Sequence, residues 1–113
     1  MLTHDNLSHD SGAVLGKLEE VKPHSRWILG ETLEVMLHNG VDRPADVAVR
    51  MQVPPSTAAY RVRLLREFFG PDLHDPALRL AMMRALRSAL PRWRAEAAYA
   101  KRRRATRKPD TCC

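Results

Sequence analysis

Residues 44–69, PADVAVRMQVPPSTAAYRVRLLREFF, decide the fold that this sequence predicts. Pro44 suits the first turn of a helix, because the amide hydrogen that it lacks would have no partner there. Asp46 suits the positive end of the helix dipole. One apolar face over two turns is formed by Val47, Ala48 and Met51. The pattern predicts a short helix over residues 44–51.

A second, longer helix is predicted over residues 55–69. Pro54 restricts the residue before it to extended geometry, and Pro55 is a favourable first helical residue. A buried face is indicated by Ala58, Val62, Leu65 and Phe69. The outer face is polar and basic and carries Ser56, Thr57, Tyr60, Arg61, Arg63 and Arg66. A short helix, a tight turn and a longer helix with such a face are typical of a helix-turn-helix.

The rest of the chain predicts an all-α fold, a small helical domain with about five helices. The other three helices are expected near residues 13–21, 26–38 and 76–90, with Ser25 and Asp75 as N-caps. Pro91 is expected to end or kink the last helix, although helix-forming residues allow an extension to about residue 104. The expected core includes Leu33, Leu37, Val47, Ala48, Val62, Leu65, Leu80 and Leu86, with Trp27 and Trp93 as packing residues. We divide the chain into a disordered N-terminus (1–12), the helix-turn-helix domain (13–90) and a basic extension and tail (91–113), disordered from Thr106.

Net charge is +6 and is unevenly distributed. Residues 76–113 carry eleven basic and two acidic side chains, whereas residues 25–75 carry six and seven. This asymmetry favours an acidic partner such as double-stranded DNA. The strongest basic run is Lys101, Arg102, Arg103 and Arg104, which is either a solvated charge run or a non-specific phosphate anchor.

Several functional classes have little support in the sequence. No apolar run is long enough to cross a membrane, and the first residues lack the pattern of a signal peptide, so we expect a cytoplasmic protein. The two cysteines, Cys112 and Cys113, are neighbours at the chain end, and no His/Cys spacing predicts a metal site. No phosphate loop, nucleophile elbow or spaced acid pair indicates an enzyme, and no cofactor is expected.

Residues 15–86 resemble the C-terminal helix-turn-helix domain of PucR/CdaR-type bacterial transcription regulators. The resemblance rests on the order and spacing of several short motifs. They are LGKL at 15–18, L-x-x-TL-x-x-x-L at 29–37, HNG at 38–40, A-x-x-M-x-V at 48–53, ST-x-x-YR at 56–61, EFFG-x-DL-x-DP at 67–76 and RL-x-x-x-x-AL at 79–86. The resemblance implies a Fis-like helix-turn-helix that binds operator DNA.

This resemblance also implies DNA contacts for the predicted helix pair. Tyr60 and Arg61 are the candidates for base readout, since the N-terminal half of a recognition helix enters the major groove. Phosphate contacts are expected from Arg50, Ser56, Thr57, Arg63 and Arg66. Ser56 and Thr57 can also act as helix caps. The alternative is that Arg61 is a surface arginine and Tyr60 a packing residue.

Two positions differ from the usual family pattern: Pro54 stands where the family has a His, and Ser56 where it has an Asn. Only fourteen residues precede Leu15, so we expect a regulator without the usual N-terminal sensing region. The alternatives are a protein-interaction module derived from a helix-turn-helix, or a non-specific DNA binder that uses its basic tail. A homodimer is one expected assembly, because these proteins commonly bind paired half-sites, and no small-molecule effector site is evident.

Overall fold

The computed structural model describes the backbone of residues 14–112 and the side chains of residues 14–104. Within this part of the chain there are five α-helices and no strand, which confirms the expected all-α fold. The helices are α1 (Gly16–Glu19), α2 (Pro23–Asn39), α3 (Pro44–Met51), α4 (Pro55–Phe69) and α5 (Pro76–Cys112). A 3₁₀ turn, Gly70–His74, joins α4 to α5. The expected disorder of residues 1–12 lies outside the described residues.

The helix-turn-helix consists of α3 and α4, and both have the predicted bounds. Gln52 ends α3 in the left-handed conformation, with φ of 57° and ψ of 48°. Its amide donates to the carbonyl oxygen of Val49, and the amide of Val53 donates to that of Ala48. The left-handed conformation costs a residue with a side chain about 1–2 kcal/mol. At this position it turns the chain from α3 into α4.

Some predicted helix ends and helix caps differ from the structure. α2 begins at Pro23 with Lys22 as its N-cap, so Ser25 lies inside the first turn. α1 has only four residues, since Leu15 has non-helical backbone angles before it and Glu20 is its C-cap. Pro54 is the N-cap of α4 and no side chain caps that end, so Ser56 and Thr57 do not act as caps. Both α2 and α4 start with a proline whose fixed φ suits the first helical position, and neither start uses a side-chain cap.

The N-cap predicted for α5 is confirmed. Oδ1 of Asp75 accepts hydrogen bonds from the backbone amides of Ala77 at 2.9 Å and Leu78 at 3.2 Å. Asp75 therefore satisfies two amides that the first turn of α5 would otherwise leave without partners.

One hydrophobic core joins all five helices. The predicted core residues are buried, with the exception of Leu80, which is 49% exposed. Leu80 precedes the buried Met82 by two residues, about 200° around the helix, so both cannot face inward. Trp93 is fully buried as expected, whereas Trp27 is partly buried.

α5 continues through Pro91 without interruption. Its buried residues recur every three or four positions on both sides of the proline, at Met82, Leu86, Ala89, Trp93 and Ala97. Pro91 is exposed, so water can solvate the carbonyl group that loses its hydrogen bond. The expectation that the helix ends at Pro91 is therefore wrong, and the extension that the helix-forming residues allowed is present. The helical backbone continues to Cys112, past the point where we expected disorder.

Arg26 connects α1, α2 and α5. Nε donates to the carbonyl oxygen of Leu18 at 3.1 Å, and Nη2 donates to the carbonyl oxygens of Glu19 at 2.9 Å and Val21 at 2.8 Å. Nη1 forms an ion pair with Glu96 at 3.0 Å. The guanidinium group thus satisfies carbonyl oxygens around the end of α1, and it fixes that end against α2 and α5.

Replacing Arg26 with lysine should lower the free energy of unfolding by about 1.5–3 kcal/mol, because a single ammonium group cannot reach the same fork of acceptors. Chemical denaturation followed by circular dichroism measures this change. Arg92→Lys is the control, since the ion pairs of Arg92 are exposed and its substitution should cost less than about 0.5 kcal/mol. Equal effects of the two substitutions would contradict a special role for Arg26.

Candidate nucleic-acid interface

The outward face of α4 carries a polar stripe opposite the core. Its residues are four, three and four positions apart along the helix, and they are Ser56, Tyr60, Arg63 and Glu67. Tyr60 is 55% exposed and the side chain of Arg63 is 66% exposed. Cζ of Arg63 lies 5.3 Å from the centroid of the Tyr60 ring, and Nε of Arg63 lies 4.0 Å from Oε2 of Glu67. A cation over an aromatic ring is attracted by it, so Tyr60 favours one orientation of the arginine.

A second stripe of α4 faces α2 and is partly buried. It contains Thr57, Arg61, Leu64 and Phe68, which line a cleft together with residues of α2. Arg61, the residue expected to read bases, is half-buried on this flank. The structure therefore does not bring Arg61 into the outward stripe with Tyr60 and Arg63.

The guanidinium groups of Arg50 and Arg66 bond to the last residue of α2 and to the connection that follows it. Nη1 of Arg50 donates to Oδ1 of Asn39 at 3.0 Å, and Nη2 of Arg66 donates to the carbonyl oxygen of Asp42 at 2.8 Å. Both residues are exposed, so each retains donors that face solvent. Their contacts hold α3 and α4 against the end of α2.

The basic cluster, residues 101–104, lies on the C-terminal part of α5. Its four side chains are exposed: Lys101, Arg102, Arg103 and Arg104. Consecutive helical residues differ by about 100° in direction, so these cations point to all sides of the helix. Cζ of Arg103 lies 5.8 Å from the centroid of the Tyr99 ring, and Tyr99 itself is 56% exposed. A single straight duplex beside α5 can contact only about half of the basic cluster, given this angular spread.

The N-terminal end of α2 lies between the N-terminal half of α4 and the C-terminal part of α5 that carries the basic cluster. His24 and Ser25 line the cleft beside Thr57 and Tyr60. On the other side, Pro23 and Arg26 line a depression with Tyr99 and Arg103. Sequence analysis did not assign a site role to His24 or Ser25, because only tertiary packing brings residues 23–26 between two elements so distant in sequence.

The family model of the PucR C-terminal helix-turn-helix domain matches residues 29–88. The chain belongs to this family. The matched region includes most of α2, all of α3 and α4, and the first part of α5, so it contains the whole helix-turn-helix pair. The PucR-type resemblance noted in the sequence is thereby confirmed. No curated protein and no solved structure matches the chain significantly.

Two further observations concern the part of the chain that the structure describes. No group of three His, Cys, Asp or Glu side chains in this part could hold a metal ion. Among the same residues, no helix is both long and apolar enough to cross a bilayer.

Proposed function

We propose that this protein is a cytoplasmic transcription regulator that binds specific DNA sequences through the outward stripe of α4. The supporting observation is the exposed pair of Tyr60 and Arg63 on the second helix of a PucR-type helix-turn-helix. Arginine can donate two parallel hydrogen bonds to guanine in the major groove. Because Tyr60 favours one orientation of Arg63, less side-chain entropy is lost on binding.

The remaining candidate residues have supporting roles in this proposal. Ser56 lies in the first turn of α4, where free amides and the helix dipole favour a phosphate. Exposed guanidinium groups can donate to phosphate oxygens, which supports contacts of Arg50 and Arg66 with the sugar-phosphate backbone on the α3 side of the pair. Thr57 and Arg61 lie on the flank beside α2, so we assign base readout to Arg63 in place of Arg61. The basic cluster on α5 supplies contacts without sequence preference.

Replacing Arg63 with alanine should reduce the ratio of specific to non-specific affinity by about 5- to 150-fold, which corresponds to about 1–3 kcal/mol for one bidentate base contact. Fluorescence anisotropy measures this ratio on duplexes from the upstream region of the protein's own gene and on random duplexes. Arg63→Lys should not retain the wild-type ratio, because lysine lacks the planar fork of donors that arginine has. Arg61→Ala should change the ratio less than Arg63→Ala does.

Arg84→Ala is the matched control, since Arg84 is an exposed arginine of α5 outside the stripe. Equal ratios for Arg63→Ala and Arg84→Ala would contradict base readout by Arg63. Absence of wild-type binding to any duplex at low salt would instead favour the protein-interaction module, which the exposed Val49 of α3 also fits. Equal wild-type binding to all duplexes would favour a non-specific binder that uses the basic cluster.

We also propose a homodimer on DNA. Helix-turn-helix proteins commonly bind two half-sites about one helical turn apart, and one copy of α4 can read only one of them. Sedimentation of the complex with a duplex of its operator measures the number of chains bound.

A further inference from the structure

A cleft of about 370 Å³ lies between α2 and α4, on the flank of α4 that does not contact α3. Most residues of its wall are apolar and include Ile28, Leu64 and Phe68. The polar residues that also line it include Ser25, Thr57 and Arg61. A mostly apolar wall with a few polar groups is the usual composition of a small-molecule site, and the volume is within the usual range for such sites.

Arg61 is the charged group of this cleft. The residue is partly buried, and among the described residues its guanidinium group makes no hydrogen bond or ion pair. Arg26, Arg66 and Arg79 differ, because each donates to at least one backbone carbonyl group. An anionic ligand in the cleft would supply the acceptor that the guanidinium group of Arg61 does not find within the described residues.

We propose that this cleft binds a small organic carboxylate with an apolar body. The carboxylate would accept two hydrogen bonds from Arg61, and the apolar body would cover Ile28, Leu64 and Phe68. Inorganic anions would leave the apolar wall exposed, whereas neutral apolar molecules would leave Arg61 without an acceptor. The combination of one cation and an apolar wall therefore selects molecules that carry both features.

The ligand would also reach the DNA-binding element. Thr57 and Arg61 belong to α4, and Tyr60 of the outward stripe lines the same cleft. A bound carboxylate would place a negative charge beside the helix that approaches DNA phosphates, which lowers affinity by repulsion. This coupling rests on the proposed function, but ligand binding does not depend on it.

Binding can be tested by titrating the ¹⁵N-labelled full chain with 3-phenylpropanoate and following amide chemical shifts. We expect saturable shifts at Ile28, Thr57, Arg61 and Leu64. 3-Phenylpropanamide, which lacks the charge, and acetate, which lacks the apolar body, should each bind at least about tenfold more weakly, as expected when a charge-assisted pair or the buried area is lost. Shifts that do not saturate, or equal affinity for the acid and its amide, would overturn the proposal.

Two variants locate the site. Arg61→Gln should weaken binding of 3-phenylpropanoate at least about tenfold, because the charge-assisted pair is lost. Arg84→Gln removes the same charge from an exposed position on α5 and should leave the affinity unchanged. Ser25→Trp places a large side chain among the residues that line the cleft and should block binding while Arg61 remains. Equal affinities for the wild type and both cleft variants would overturn the site assignment.

Anisotropy with the upstream duplex then separates the two proposals. If the upstream duplex is bound and 3-phenylpropanoate weakens that binding, both are supported. If the ligand saturates the cleft but no duplex is bound, the proposed function fails while the carboxylate site stands. If the duplex is bound but the ligand does not saturate the cleft, the carboxylate site fails alone.

Discussion

Replacing Trp93 with alanine should lower the free energy of unfolding by about 3–5 kcal/mol, the usual cost of removing a large buried aromatic side chain. Trp93 is fully buried and packs directly on α2 at Gly30. A methyl group on Gly30 would lie 2.9 Å from Cζ3 of Trp93 and 3.0 Å from Cδ2 of Leu90, so only glycine allows the indole to approach so closely. Denaturant unfolding followed by circular dichroism measures the loss. This loss is a large fraction of the free energy of unfolding of a domain, which is roughly 5–15 kcal/mol in total.

Trp93→Phe is the matched control for this prediction. The indole nitrogen of Trp93 is buried and has no hydrogen-bond partner among the described residues. Trp93→Phe removes that unpaired N–H group together with part of the ring system. It should therefore lower the free energy of unfolding much less than Trp93→Ala does. Gly30→Ala should also be destabilising, since neither the helix backbone nor the ring can easily move. A loss under about 1 kcal/mol for Trp93→Ala would contradict the continuation of α5 beyond Pro91, because an exposed indole contributes little.

Replacing Lys101, Arg103 and Arg104 with glutamine should weaken binding to every duplex on the order of 50-fold at about 0.1 M salt. The three residues are exposed and radiate from α5, so about two of them can face one duplex at a time, given the 100° step of the helix. Losing two phosphate contacts should reduce the magnitude of the slope of log K against log salt concentration by about 1.8. The ratio of specific to non-specific affinity should not change, because phosphates carry no base information.

The control for this prediction removes the same charge from another part of the same helix. Arg84, Arg87 and Arg94 are also exposed arginines of α5, and their replacement with glutamine should change the salt slope less. Equal slopes for the two triple variants would show that only net charge matters and that the basic cluster has no defined position on DNA. An unchanged slope in the first variant would leave the cluster as a solvated charge run.

The sequence predicted the helix-turn-helix most accurately, because local chemistry determines its ends. Pro44 and Pro55 begin α3 and α4 as predicted, and the periodic apolar residues of α4 are all buried. Asp75 caps α5 as expected. These features depend on neighbouring residues only, so no knowledge of the tertiary structure was needed.

The errors occur where packing outweighs a local rule. Pro91 is a strong helix breaker locally, but the buried stripe that continues to Trp93 and Ala97 compensates for one lost hydrogen bond. Leu80 lies in a stretch that contains more apolar residues than one helix face can hold. Periodicity alone did not show which of these residues face inward. The sequence placed Arg61 on the outer face of α4, because it could not show that α2 lies beside that flank.

The continuity of α5 has a mechanical consequence. Arg104 lies eleven residues beyond Trp93, or about 16 Å along the helix axis. If the contact between Gly30 and Trp93 acts as a pivot, tilting the axis by about 10° would displace Arg104 by about 3 Å, from the same rise per residue. α5 is therefore a lever with one arm in the core and the other carrying the cations, so repacking around Trp93 would change which phosphates they reach.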